Sequence, residues 1–228
     1  EGSKGTKIFA LTGHVKNTGL VEVPFGTSLR TIIEGIGGGA SDGAKVKAVQ
    51  TGGPSGGCIP ERLFDLPVDF ETLSEAGSMV GSGGMVVMDE RTCMVDVSRY
   101  FLEFLRGESC GKCVPCRLGI DRMLEIVTDM VNGKGRPGQI ELLEALADTV
   151  SAASLCGLGK TAPNPVLSAL RYFREEFEAH IRERRCPAGV CRALIELAID
   201  PEKCDGCGVC LLSCPTEAIR GAKKKPHT

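Results

Sequence analysis

The chain has 228 residues, is 42% hydrophobic, and sets 27 Lys and Arg against 29 Asp and Glu for a formal charge of −2. That balance belongs to an ordinary globular protein of one large domain or two to three small ones. It gives nucleic acid no electrostatic handle, no apolar run approaches the ~18 residues of a membrane span, and no secretory signal opens the chain. The expected setting is cytoplasmic, where twelve cysteines read as ligands rather than disulfides.

Residues 1–92 read as a small α/β unit. "KIFALTG" (7–13) is a strand, and "NTG" (17–19) turns the chain into a second, "LVEVP". A short helix follows, with Thr27 as its cap and Leu29, Ile32, Ile33 and Ile36 at helical spacing, stopped by "GGG" (37–39). "KVKAVQTGG" and "MVVMD" add two more strands. This order predicts a ubiquitin-like β-grasp, within an α+β chain.

Residues 93–185 switch to a 3.6-residue period. Val97, Tyr100, Phe101, Phe104 and Leu105 form one apolar stripe; Ile120, Met123, Leu124, Val127, Met130 and Val131 form a second; Leu143, Leu146, Ala147 and Val150 form a third. Asn164 and Pro165 open a fourth helix as cap and first residue, with Leu170, Phe173, Phe177 and Ile181 inward. The expectation is a four-helix bundle. Residues 186–228 are cysteine-rich, punctuated by Pro and Gly, and too poor in apolar residues to fold by burial alone, so a metal or cluster organises them.

"SCGKCVPCRLG" (109–119) places Cys110, Cys113 and Cys116 three residues apart. Such a loop wraps three corners of an iron–sulfur cubane, whereas zinc more usually takes two separate C-x2-C knuckles. The fourth thiolate is Cys156 in "ASLCGLG", because the third helix can run back beside the second and return the chain to the loop. The reading is a [4Fe–4S] site. "CDGCGVCLLSCP" (204–215) is the bacterial ferredoxin run C-x2-C-x2-C-x3-C-P, assigning Cys204, Cys207, Cys210 and Cys214 to [4Fe–4S] ligation. In two-cluster ferredoxins the fourth cysteine serves the other cluster, and no second run follows here, so this segment reads as truncated. The lysine run 223–225 reads as a solvated face.

Between these modules, His180, Cys186 and Cys191 offer one nitrogen and two sulfurs for tetrahedral zinc, with Cys93 as the fourth ligand and Cys58 as the second choice. The alternative is free thiols beside a histidine at a helix C-terminus. No constellation supports bond-making chemistry, so no catalytic residue is assigned.

"ESCGKCVPCRLG" followed by "SLCGLG" resembles the NADH-binding flavoprotein subunit of respiratory complex I and its relatives. "FALTGHV…GLVEVPFGTSLRTII…GGPSGGCIP" resembles the soluble ligand-binding β-grasp (SLBB) domain preceding that cluster. With "MDERTCMVD" and the ferredoxin tail, the chain is most similar to the beta subunit of NAD-linked, electron-bifurcating [FeFe]-hydrogenases. Members of that family carry an upstream Rossmann-like domain for FMN and NAD(H). "GGPSGG" (52–57) and "GSGG" (81–84) sit in no strand–loop–helix context and read as glycine turns. The resemblance thus implies the C-terminal part of such a subunit, without its FMN/NAD site. It relays single electrons between that flavin and the other redox subunits of a hydrogenase or dehydrogenase, with ferredoxin a further partner. The alternatives are a subunit of an NAD-linked formate dehydrogenase or complex I-like enzyme, and, in another class, a zinc-organised structural assembly module.

Overall fold

Five strands form one mixed sheet in the order β2–β1–β5–β3–β4, running Thr6–Gly13 (β1), Gly19–Pro24 (β2), Val46–Thr51 (β3), Gly57–Pro60 (β4) and Gly84–Asp89 (β5). β1 pairs antiparallel with β2 and parallel with β5, while β3 is antiparallel to both β4 and β5. A helical segment packed on one face completes the β-grasp arrangement. The computed structural model describes residues 2–195, 197–222 and 224–227. The chain divides into two units, 1–194 and 195–228.

Side chains alternate across a strand with period two, and the sheet uses both faces. On one face Phe9, Leu11, Val49, Ile59, Met85 and Val87 join Leu29, Ile32 and Ile33 in one core. On the other, Ala48, Cys58 and Met88 join the helical core. β3, β4 and β5 are therefore buried on both sides, whereas Ile8 and Leu20 on the β1–β2 edge face solvent.

The helical turns after β2 are wound wide, π-type, over Thr31–Ile36. Their start differs from expectation: the Ser28 hydroxyl accepts the Thr31 N–H at 3.2 Å, while the Thr27 hydroxyl donates to the Pro24 carbonyl. Ile36 stays largely exposed. Gly38 and Gly39, both at φ 75°, end the helix, and at Gly37 a Cβ would meet the Ile33 carbonyl at 2.5 Å. β4 escapes the sequence pattern because its glycine and proline mimic a turn. A short helix, α1 (Phe70–Glu75), capped by Asp69 accepting the Thr72 N–H at 2.6 Å, precedes β5.

Four longer helices follow: α2 (Met94–Glu108), α3 (Val114–Val131), α4 (Gln139–Ala153) and, after the five-residue α5 (Gly157–Thr161), α6 (Asn164–Glu178). The buried face of α2 is Met94, Val95, Ser98, Phe101, Leu102 and Leu105, rotated from the expected stripe so that Tyr100 and Phe104 lie outside. Pro163 rather than Asn164 precedes α6, and the Asn164 amide donates to the Ser55 carbonyl at 3.1 Å. A π-type turn, Ala179–Glu183, extends α6 until Arg184 takes a left-handed conformation at φ 52°. Sheet and helices are stitched by polar groups: the Ser168 hydroxyl accepts the Cys58 N–H at 2.9 Å, and Tyr172 donates to the Ala76 carbonyl at 2.8 Å.

Among its described residues the second unit is irregular apart from α7 (Val209–Ser213), and it leaves Leu197 and Leu212 almost fully exposed. Among the described residues no helix is long and apolar enough to cross a membrane.

Candidate cluster and metal sites

The thiol triplet sits where α2 gives way to α3. Gly111 turns the link at φ +73°, its N–H donating to the Ser109 hydroxyl, and the Arg117 guanidinium donates to the Gly111 carbonyl. Cys110 is exposed, Cys113 immediately precedes α3, and Cys116 is buried in its first turn. α4 runs back along α3, and their approach depends on Gly119, whose missing side chain leaves room for Val150. That path delivers Cys156, the residue before α5, to the triplet.

Three observations join the loops. The Leu155 main chain faces the Cys113 sulfur and is the first cause lowering that thiol below its usual range. Burial pushes the Cys116 thiol up, the Ser109 hydroxyl opposes this, and thiolate charge at Cys113, Cys156 and Cys110 adds to it. A Cβ on Gly159 would meet the Ser154 hydroxyl at 2.5 Å and the Cys116 Cβ at 3.0 Å, so only glycine permits this closure. The start of α3, carrying the positive end of its helix dipole, thus stands beside Cys113 and Cys116. The donor set fits an anionic iron–sulfur cubane: thiolates alone, glycine-lined approaches, and a buried Ser154 hydroxyl with no partner among the described residues.

A second cluster is tighter. Cys93, His180, Cys186 and Cys191 are all buried, and their ligand atoms lie within 4.8 Å of one another. His180 Nε2 stands 3.4 Å from both Cys93 Sγ and Cys191 Sγ, and the two sulfurs are 3.7 Å apart. That spacing is too long for a disulfide and close to the ~3.8 Å edge of a tetrahedron with zinc–sulfur bonds of about 2.3 Å. His180 Nδ1 donates to the Glu176 carbonyl at 2.7 Å, so the neutral ring offers its Nε2 lone pair to a metal. The Cys191 contact holds the Cys93 thiol below its usual range against the effect of burial, and the Cys191 thiol moves upward. Burial alone would lower His180, but the Cys93 contact raises it to about 9.

Two residues behind this cluster carried no sequence signal of their role. The Glu176 carboxylate accepts the Met94 N–H at 3.0 Å, fixing the start of α2 just after Cys93. Lys47 reaches from β3 to the same carboxylate at 2.5 Å and donates to the Thr92 carbonyl, with both charges largely buried. Burial raises the Glu176 pKa, and Lys47 counters it. Cys58 lies in β4, its thiol pushed up to about 11 by burial, and is not part of this cluster.

In the second unit, Gly206 and Gly208 take positive φ around Cys207, and Cys210 lies on α7. His227 meets Cys204 through its N–H at 3.4 Å and its ring nitrogen at 3.5 Å, and these contacts lower the Cys204 pKa. The Thr216 hydroxyl is the first cause holding Cys214 at about 7. Among the described residues, these four thiols are not drawn as close as the zinc-type set. Of the lysine run, Lys223 lies outside the described residues.

Comparison with known proteins places names on these segments. Residues 8–59 match the SLBB domain, 96–180 the NADH-ubiquinone oxidoreductase-F iron-sulfur binding region, and 197–220 a 4Fe-4S binding domain. The chain is 52% identical over 225 residues to the NADP-reducing hydrogenase subunit HndC of Solidesulfovibrio fructosivorans, covering 99% of this chain and 46% of that protein. It is 45% identical to an F-type subunit (F 2) of the NADH-quinone oxidoreductase of Rhizobium meliloti (strain 1021), over 81% of this chain and 44% of the relative. A crystal structure of an NAD+-reducing [NiFe]-hydrogenase in the H2-reduced state superposes with a TM-score of 0.69 at 30% identity, covering 78% of this chain and 30% of that one. The chain spans under half the length of these curated relatives. It therefore carries, in order, an SLBB domain, an F-type iron–sulfur binding region and a 4Fe-4S binding domain, and is a homologue of part of HndC and of the F-type subunits of NADH-quinone oxidoreductase.

Proposed function

We propose that this chain is the electron-relay portion of an NAD(P)-linked hydrogenase of the bifurcating type. It passes single electrons between a flavin, FMN, held elsewhere in the full-length subunit beside the NAD(P)(H) site, and partner redox subunits, with ferredoxin as a further exchange partner. The observation that carries this reading is the return of the Cys156 loop onto Cys110, Cys113 and Cys116 around Gly159. A [4Fe–4S] cluster bound there supplies storage and transfer of one electron at a time. The protein's part is to hold four thiolates, bring main-chain N–H groups to them, and exclude water from the Cys116 side. Cys204, Cys207, Cys210 and Cys214 hold a second cluster, and the setting is cytoplasmic. Over formate dehydrogenase or complex I, the 52% identity to a hydrogenase subunit across nearly the whole chain favours the hydrogenase reading.

Cys93, His180, Cys186 and Cys191 hold a structural zinc ion where the helical part meets the ferredoxin-type segment in sequence. The test is metal and acid-labile sulfide analysis of anaerobically purified protein, with electron paramagnetic resonance of the reduced form. Iron, sulfide and cubane signals, one of them abolished in Cys156→Ala, are expected alongside one zinc. Zinc without iron or sulfide overturns the relay and leaves an assembly module.

A further inference from the structure

Among the described residues, only two buried side-chain polar atoms lack a hydrogen-bond partner: the Gln50 carbonyl oxygen and the Ser154 hydroxyl. Gln50 lies in the sheet and has its amide satisfied by the Gly53 carbonyl. Ser154 is different, because it stands at the cluster site. It follows the last residue of α4, two positions before Cys156, and is 4% exposed. Its hydroxyl and the Cys116 Cβ both border the point a Gly159 Cβ would occupy, at 2.5 and 3.0 Å. A hydroxyl withdrawn from water without a partner is costly, and such groups call for an explanation.

A second hydroxyl converges from the other loop. Ser109 Oγ accepts the Gly111 N–H and lies 3.3 Å from Cys116 Sγ, so its own proton is free to point at that sulfur. Cys116 is the most deeply buried of the four thiols, the position where a hydrogen bond to sulfur is least diluted by water.

We propose that Ser154 donates its hydroxyl proton to an inorganic sulfide of the cluster held by Cys110, Cys113, Cys116 and Cys156, beside the Cys116 thiolate, and with Ser109 sets that cluster's reduction potential. Reduction adds negative charge to the site, and a donor aimed at sulfur stabilises the reduced form more than the oxidised one. The potential is therefore higher than in a protein without this hydroxyl. The proposal rests on the ligand assignment above, and a serine retained only for size would leave the potential where it is.

The test uses the full-length protein, with the signal abolished by Cys156→Ala identifying this cluster. In Ser154→Ala the iron content and spectrum are expected to persist. The midpoint shifts negative, so that at the wild-type midpoint the reduced-to-oxidised ratio falls about tenfold, equivalent to about 59 mV for one electron. After exchange into deuterium oxide, one exchangeable deuteron coupled to the reduced cluster disappears in the variant. Ser109→Ala shifts the midpoint in the same direction. An unchanged midpoint and coupling in cluster-loaded Ser154→Ala overturns the hydroxyl's role while leaving the ligand assignment standing. A full signal surviving in Cys156→Ala overturns both. If Ser154→Ala loses its cluster, Ser154→Thr decides: a loaded cluster at the wild-type midpoint supports the proposal, and loss of the cluster there too assigns the position to shape and overturns it.

Discussion

His180 and Glu176 stand one helical turn apart, and the 2.7 Å bond from His180 Nδ1 to the Glu176 carbonyl aims Nε2 between the sulfurs of Cys93 and Cys191. A main-chain carbonyl so placed selects the tautomer that presents a lone pair inward. Wild-type protein is expected to bind one zinc, and Cys191→Ser or His180→Ala to lose it. Equilibrium competition with a chelator, read by elemental analysis, checks this. Affinity falling less than tenfold in either variant counts against the site.

The Lys47–Glu176 pair is buried on both sides and fixes the start of α2. Glu176→Ala, which leaves the Lys47 ammonium without its partner, is expected to cost about 3–5 kcal/mol in denaturant unfolding. Replacing both residues by apolar ones of similar size, as in Lys47→Met with Glu176→Leu, is expected to recover most of that loss. A double variant no better than Glu176→Ala rules the account out.

Gly159→Ala is the smallest change that tests closure of the cysteine loops. Its methyl would push against Ser154 and Cys116, atoms with little room to retreat. Reduced iron and sulfide content with near-normal zinc is the expected result, because the zinc-type residues make no use of this glycine. Full iron loading in the variant contradicts the closure.

A pH dependence follows from Asp89 at the end of β5. Its carboxylate is shielded from solvent, which works against its charge, but bonds from the Arg91 side chain and N–H outweigh burial, so it titrates below its ordinary 3.8. A depressed acid contributes stability that is complete above the unfolded value and lost as pH falls through the folded one. Asp89→Asn is expected to be less stable than wild type at pH 7, the gap closing below about pH 3.8. Thermal melts of both proteins across that range decide it, and a gap that stays constant sinks the idea.

The helices were legible because a 3.6-residue period survives in α3, α4 and α6, and the cysteines because cluster chemistry imposes short fixed spacings. Less was legible where one local signal mimics another. β4 is a strand written with glycine and proline, and α2 carries Tyr100 and Phe104 outside its packed face. Sequence named Cys93 as the fourth member of the His180 group, with Cys58 as the second choice. The structure brings in Cys93 and seats Cys58 against Ser168. Ser109, Ser154, Lys47 and Glu176 gave no signal, because what each does depends on a neighbour brought from a distant segment.

Ala48 and Val49 are adjacent in β3 yet face different hydrophobic cores. Neither core can therefore open without stripping one side of a strand that the other still needs. The β-grasp layer and the helices above it are expected to melt together, as a single calorimetric event, even though sequence divides them into two families.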